Sequence, residues 1–213
     1  MKTNQEYKSL ALAALKGNWP QAIVATSIVL AISALSATAS WYLTEPFSYV
    51  VPLLIGVVAM PFVVGYANAF SRMFYMSDYA ILKNVKEMTF EDGFRKLAGM
   101  FLMSLVTLLY TVALVVPGVI ASLSLFLTPY LLQDYPEKSL VEVMRTSKAM
   151  MQGHKMQLFK LQLGFIGWML LNVLTLGIGS LWLFPYMMTA MAAFYQDVRE
   201  QYSMKEGRQE SAL

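Results

Sequence analysis

The chain has 213 residues, of which 57% are hydrophobic and 14% charged, whereas soluble domains usually carry about 25% charged residues. It contains no cysteine, which excludes disulfides, thiolate nucleophiles and cysteine-ligated metal sites. The net charge is +3, but the basic residues alternate with long apolar runs. We therefore expect these residues to set the orientation of the chain in a membrane, and we expect no nucleic-acid partner.

The first segment, Asn4 to Asn18, has a helical pattern studded with polar side chains. A signal peptide would begin with a basic stretch followed at once by an apolar one, so we expect Met1 to be the mature start. Tyr7, Leu10 and Ala14 share one face of this helix. The pattern predicts an amphipathic helix at the membrane surface.

Six apolar runs follow, and each approaches or reaches the roughly 17 to 25 residues that cross a bilayer. The predicted spans are 22–41, 50–70, 97–116, 118–133, 161–176 and 178–195. The fourth and fifth hold about sixteen residues each, so full crossing and partial re-entry both stay open. A four-span alternative would fuse 97–133 and 161–195 into two long helices. We disfavour it because Pro117-Gly118 and Gly177 predict tight turns.

The basic residues predict the orientation of these spans. All 16 lie in the N-terminal tail, the second-to-third connection, the fourth-to-fifth connection and the C-terminal tail. Glu45 is the only charge in the opposite connections. Cytoplasmic loops are enriched in Lys and Arg, so both termini are predicted to be cytoplasmic. Residues 1–198 form one membrane domain in this interpretation, and 199–213 a flexible polar tail.

The longer connections carry helix signals. Ser139 and Glu142 form a capping box ahead of an amphipathic segment that ends near Gly153. Thr89 and Asp92 are predicted to open a similar segment. The predicted fold class is therefore an all-α membrane protein with six transmembrane helices. They form three hairpins, each preceded by a cytoplasmic interfacial helix and a glycine, which are Gly17, Gly93 and Gly153.

An internal repeat supports this organisation. Ser124 to Tyr130 and Ser180 to Tyr186 both have the pattern Ser-Leu-aromatic-Leu-x-Pro-Tyr. The four tryptophans lie mostly toward the ends of predicted spans, as in an aromatic belt; they are Trp19, Trp41, Trp168 and Trp182.

Three residues are candidates for lipid or partner contact. An imidazole group ordinarily titrates near physiological pH, so His154 could move a proton or bind a lipid phosphate. The alternative interpretation is a helix-end residue near the headgroups, which we favour because the chain has no second histidine. Lys155 adjoins it. Lys160 could bind an anionic headgroup. A simpler explanation for a lysine at the start of a span is that its side chain extends its ammonium to the membrane interface.

Four residues are candidates for polar contacts inside the membrane. Asn68 and Asn172 could line a substrate path or form interhelical hydrogen bonds, and we favour packing. Ser124 and Ser180 could donate to the backbone carbonyls that Pro129 and Pro185 leave free. We predict no catalytic residue, metal ligand or cofactor, because no known catalytic or nucleotide-binding motif is present.

Several residue clusters are distributed over nearly the whole chain. They include Leu15-Lys16-Gly17-Asn18-Trp19, Pro117-Gly118-Val119-Ile120, Gly153-His154-Lys155, Gly164-Phe165-Ile166-Gly167-Trp168 and Ala193-Phe194-Tyr195 with Asp197. With these clusters the chain resembles the bacterial integral membrane family catalogued as domain of unknown function 975. The resemblance implies a bacterial cytoplasmic membrane location and carries no assigned reaction. The chain is also distantly similar to the membrane part of glycerophosphodiester phosphodiesterases.

The function that we expect is non-enzymatic, the organisation of lipid or partner proteins in the membrane. The expected partners are membrane lipids, another membrane protein or a second copy of the chain. The alternative is a small transporter or channel for a lipid-like or neutral solute. The predicted spans hold no ionisable residue near the bilayer centre, which argues against an ion-coupled carrier.

Overall fold

A computed structural model describes residues 2–75, 79–113 and 115–210, and every regular element in these ranges is a helix. The helices fall into three consecutive units, each of which begins with a short helix. The first unit is α1 (Asn4–Leu15), α2 (Trp19–Tyr42) and α3 (Phe47–Tyr75). The second is α4 (Ile81–Phe90), α5 (Gly93–Ala113), α6 (Val115–Leu125) and α7 (Thr128–Asp134). The third is α8 (Leu140–Met150), α9 (Lys155–Leu163), α10 (Ile166–Leu174) and α11 (Ser180–Glu210).

Five helical segments of the described chain are long and apolar enough to cross a membrane. They are Trp19–Tyr42, Phe47–Phe74, Gly93–Thr111, Val116–Asp134 and Lys155–Leu174. The sixth predicted span, 178–195, is not among them, because the apolar part of α11 covers only 180–195 before Gln196 and Asp197. The chain is an all-helical, multi-pass membrane protein.

The predicted turn at Pro117 and Gly118 is helical instead. Both residues fall inside the first turns of α6, which begins at Val115, whereas α5 ends at Ala113. Residue 114 lies outside the described residues. Proline is tolerated there because the first amides of a helix need no intrahelical acceptor. Gly118 serves close packing instead: a Cβ at this position would lie 2.8 Å from the Cα of Thr111 on α5.

The second short helix also lies earlier than predicted. Helix α4 ends at Phe90, and Thr89 is inside it, with its hydroxyl donating to the carbonyl of Val85 at 2.6 Å. The signal that identifies α4 is the spacing of Ile81, Val85 and Met88, which are all buried. Thr89 therefore does not open a helix.

The three short helices pack against protein with their apolar faces. Helix α1 packs on α11, α4 on α3, and α8 on α6 and α7. The predicted capping box of α8 is confirmed: Ser139 accepts from the amide of Glu142 at 3.3 Å, and Glu142 accepts from the amide of Ser139 at 2.8 Å. Helix α1 also begins with a capping box, formed by Thr3 and Glu6.

The junctions between short helix and hairpin repeat in the three units. Gly17 (φ +85°) and Gly153 (φ +81°) have the left-handed backbone in the first and third units. In the second unit the left-handed residue is Asp92 (φ +50°), so Gly93 is not the equivalent position. Aspartate tolerates this conformation better than most side chains.

The predicted fourth and fifth spans are each divided into two helices. Residues 126–127 separate α6 from α7, and residues 164–165 separate α9 from α10. Pro129 lies at the start of α7, whereas Pro185, its counterpart in the sequence repeat, lies inside the continuous helix α11. Helix α11 continues through Glu210, so the predicted tail is helical up to that residue, and 211–213 lie outside the described residues.

Buried side chains concentrate at one end of the bundle, which we call the braced end: α1, α4, α8 and the hairpin segments beside them. Helix α2 buries residues only between Ala22 and Thr26, and α3 only from Val64 onward. Helix α10 buries none. The remainder of the hairpins, the far half, exposes large apolar side chains such as Val58 (77%) and Leu109 (62%).

Candidate functional site

Two of the predicted intramembrane polar residues hold helices together. Asn68 is fully buried in α3, and its amide nitrogen donates to the carbonyls of Val64 at 3.0 Å and Pro129 at 2.8 Å. Ser124 donates to Ile120 at 2.6 Å within α6, rather than to the carbonyl four residues before Pro129. Its own carbonyl accepts from Ser147 of α8 at 2.9 Å. These contacts stabilise packing between the units.

The other two residues belong to the third hairpin. Ser180 is buried and donates to the carbonyl of Gly177, in the turn where Leu176 and Gly177 both have positive φ. Asn172 is on α10, and its side-chain oxygen is shielded from solvent without a hydrogen-bond partner. The structure does not bring Asn172 and Asn68 into one site.

His154 occupies a helix-capping position. It precedes α9 with φ −107° and ψ −8°, and Asn18 precedes α2 with the nearly identical φ −112° and ψ 4°. Burial lowers the pKa of His154, and the nearby Lys205 lowers it further. Its Nδ1 atom is buried without a partner. The imidazole is neutral, and it lies at the same position before α9 that Asn18 has before α2. Both observations support the interpretation of His154 as a helix-end residue.

The two predicted lysines lie on the next helix. Lys155 is the first residue of α9, and Lys160 is exposed one turn before Gly164. Both are therefore on the element that leads from the braced end into the third hairpin.

Asp197 joins the first helix to the last. Its carboxylate accepts from the hydroxyl of Tyr7 at 2.5 Å, the backbone amide of Lys2 at 2.9 Å and the side chain of Gln201 at 3.1 Å. Burial alone would raise the pKa of Asp197, but these hydrogen bonds lower it overall. Burial raises the pKa of Tyr7, and the neighbouring carboxylate raises it further. The cluster therefore consists of an ionised carboxylate that accepts hydrogen bonds from neutral donors. These hydrogen bonds hold α1 against α11.

Asp134 joins the second unit to the third. It accepts from the hydroxyl of Tyr195 and lies 3.0 Å from the guanidinium of Arg199. Tyr195 also stacks on Tyr130, with ring centroids 4.7 Å apart. Two clusters on α11 thus fasten both other units to this helix.

An apolar cavity of about 430 Å³ lies between the first and third units. We call it the aromatic groove. One wall comes from Leu12 and Trp19, and the other comes from α10 and α11, with Trp168, Trp182, Tyr186, Leu171, Leu183, Asn172, Thr175 and Gly179. Helix α10 contacts α11 at few residues, whereas α2 packs extensively on α3 and α5 on α6. The loose third hairpin leaves this groove open.

A lysine lies near the aromatic groove, outside the residues that line it. The ammonium of Lys8 donates to the carbonyl of Gly164 at 2.6 Å and lies 4.6 Å from the ring centroid of Phe165. Phe165 in turn packs edge-on against Tyr186, a groove residue, at 5.3 Å. No sequence pattern connects Lys8 with Gly164, because they are 156 positions apart. The only sequence signal was the set of tryptophans near span ends.

The groove has the features of a binding site rather than a catalytic one. Ligand cavities usually measure roughly 300–1,000 Å³ and have apolar walls with few polar groups. Among the described residues, no group of three or more His, Asp or Glu side chains could hold a metal ion. The arrangement can accommodate an apolar molecule and can place a cation beside its polar end.

Comparison with known proteins gives a family and no function. No curated protein and no solved structure matches this chain. A family model described as "Protein of unknown function (DUF975)" matches residues 48–202, well over half of the 213 residues. The chain belongs to this family, as the residue clusters predicted.

Proposed function

We propose that this protein is a non-enzymatic membrane-organising protein, which binds lipid or partner membrane proteins on the apolar surface of its hairpins. One observation carries the proposal: packing is concentrated at the braced end, while the far half exposes side chains such as Val58 and Leu174 (79%). An apolar surface of this extent needs acyl chains or other apolar helices as neighbours.

The topology that fits this function has six crossings, with both termini on the cytoplasmic side of a bacterial membrane. Helix α1 and the segment around Asp197 are in contact, which supports an even number of crossings between them. The placement of all 16 basic residues supports the cytoplasm as their side. Helix α11 would supply the sixth crossing, enclosed by other helices rather than by lipid.

Single cysteines test the topology. The chain has no native cysteine, so Thr44→Cys, Glu137→Cys and Ser203→Cys, all at exposed positions, each report one site. With an impermeant maleimide on intact cells, Thr44→Cys should react, and the other two should react only after lysis. Labelling of Ser203→Cys from outside would contradict the six-crossing topology.

A second candidate is a carrier or channel for a lipid-like or neutral solute. The unpaired side-chain oxygen of Asn172 beside the aromatic groove favours it. Against it, the side-chain amide nitrogen of Asn68 donates to two backbone carbonyls, and the hydroxyls of Thr26 and Tyr66 pair at 2.8 Å. The side-chain oxygen of Asn68 is buried without a partner, but Asn68 does not line the aromatic groove. These residues therefore do not extend a polar path from the groove.

Two measurements test these candidates: the first tests the proposed surface contacts, and the second separates the two functions. A photo-crosslinking residue at Val58, in the far half, should capture lipid or another membrane chain, and the same residue at exposed Lys83 in the braced end is the control. Glycerol permeability of proteoliposomes should equal that of protein-free vesicles. Protein-dependent glycerol flux that Asn172→Leu abolishes would instead favour the carrier.

The proposed partners are membrane lipids, another membrane protein or a second copy of this chain. The distant similarity to the membrane part of glycerophosphodiester phosphodiesterases stays a prediction. It adds no reaction to the proposal, because fold similarity alone does not transfer chemistry.

A further inference from the structure

We infer that the aromatic groove binds one acyl chain of an anionic phospholipid, whose phosphate lies against Lys8. The inference rests on the proposed function and deepens it, since it names one lipid class and one site. It is carried by the shape of the groove, by the position of the lysine and by the charges around it.

The shape of the groove fits a single flexible chain. It is open along one side, because α10 packs loosely on α11, and its volume of about 430 Å³ falls within the usual range for ligand cavities. Trp19, Trp168 and Trp182 lie around it, so three of the four tryptophans in the chain border one cavity. Indole rings favour the boundary between headgroups and acyl chains, where one end of a lipid site would lie.

The position of Lys8 fits a headgroup. Lys8 is one helical turn before Leu12, a groove residue on α1, so both side chains lie on the same face. Its ammonium has three donors, and one contact is to the carbonyl of Gly164. That bond and the ring of Phe165, which packs against the groove residue Tyr186, hold the ammonium near the groove and leave donors for a phosphate.

The charge of Lys8 is not neutralised within the described chain. The ion pairs formed by the described residues involve Lys2, Arg72, Lys83 and Arg199, and none includes Lys8. The exposed Lys160, one turn before Gly164, adds a second positive charge on the adjoining helix. An anionic headgroup complements this pair, whereas a zwitterionic one brings its own cation.

Tryptophan quenching by brominated lipids tests the inference on the full-length protein. Trp41 is 88% exposed in the far half, so Trp41→Phe leaves only the three groove tryptophans as reporters. The protein is reconstituted in phosphatidylcholine vesicles that contain a small fraction of brominated phosphatidylglycerol or, in the matched series, brominated phosphatidylcholine. The relative binding constant of the two lipids follows from the two quenching curves.

We expect phosphatidylglycerol to bind about fivefold better, since one lysine near an anionic lipid contributes about 1 kcal/mol. Lys8→Gln should remove that preference, and Lys8→Arg should keep it. Lys16→Gln removes the same charge from an exposed position outside the groove and should change little. Leu12→Phe with Leu171→Phe fills the groove and should reduce quenching by both lipids.

Three results would overturn the inference. They are equal quenching by the two brominated lipids, equal loss of preference in Lys8→Gln and Lys16→Gln, and unchanged quenching after the groove is filled. The filled-groove variant keeps the test valid if Lys8→Gln fails to fold. Any of these results, together with lipid or protein capture at Val58, would refute the groove site and leave the proposed function in place.

Discussion

Replacing Asp197 by alanine should release α1 from α11. The change leaves the hydroxyl of Tyr7 buried without its acceptor, since Tyr7 is fully shielded from solvent. An unsatisfied buried donor costs about 1 to 3 kcal/mol. The amide of Lys2 also loses an acceptor, but this hydrogen bond is only partly buried and Lys2 is an exposed residue, so we expect water to replace it. We therefore expect a loss of about 2 kcal/mol, which is about thirtyfold in the opening equilibrium of α1.

A buried cysteine measures that opening. Ala11 lies on the shielded face of α1, so Ala11→Cys reacts with maleimide only when α1 detaches. The Asp197→Ala background should react about thirtyfold faster at pH 7. Glu200→Ala, which removes an exposed acid from the same helix, should not change the rate. Adding Tyr7→Phe to Asp197→Ala should restore much of the protection, since no buried donor then remains. Equal rates in the Asp197→Ala and Glu200→Ala backgrounds would refute this account.

Three further changes test other parts of the structure. Gly118→Ala should lower the free energy of unfolding by about 1 to 3 kcal/mol in denaturant unfolding, because the added Cβ has no room. Gly56→Ala is the control and should not destabilise the protein, because Gly56 faces open space. The lowered pKa of His154 means that the unfolded chain binds the proton better, so stability should fall as pH drops below about 6.5. His154→Asn should fold and remove that dependence, and an unchanged pH profile would contradict the assignment. Met144→Glu should lower the free energy of unfolding by several kcal/mol and reduce accumulation in the membrane, because Met144 is buried. Val141→Glu, on the exposed face of α8, should be tolerated. Equal accumulation of the two variants would count against the packing of α8.

Local signals predicted the local structure well. The capping box at Ser139 and Glu142 is complete within four residues, so its geometry could be derived without the rest of the fold. The left-handed turn at Gly177 is similar, since few other residues adopt its φ of +85°. The length of the apolar runs predicted a multi-pass membrane protein for the same reason, because each run is also a local feature of the sequence.

Features that depend on neighbours could not be derived in this way. Gly118 suggested a turn, and only the proximity of Thr111 shows that it serves close packing. Asp92, and not Gly93, takes the place that matches Gly17 and Gly153, because α4 ends at Phe90 and the residue with positive φ after it is Asp92. The groove required residues from both ends of the chain, and no spacing rule connects Lys8 with Gly164.

The contact between Tyr7 and Asp197 also constrains the order of assembly during synthesis. The two residues are 190 positions apart, so at roughly 5 to 20 residues per second Asp197 is made about 10 to 40 s after Tyr7. Throughout that interval the apolar face of α1, with Ala11 and Leu15, has no α11 to pack against. The nascent chain must shelter this face in the lipid interface or in the insertion machinery. Final docking of α1 is therefore a late, post-insertion step, and a chain truncated before Asp197 would complete its early hairpins without fastening its first helix.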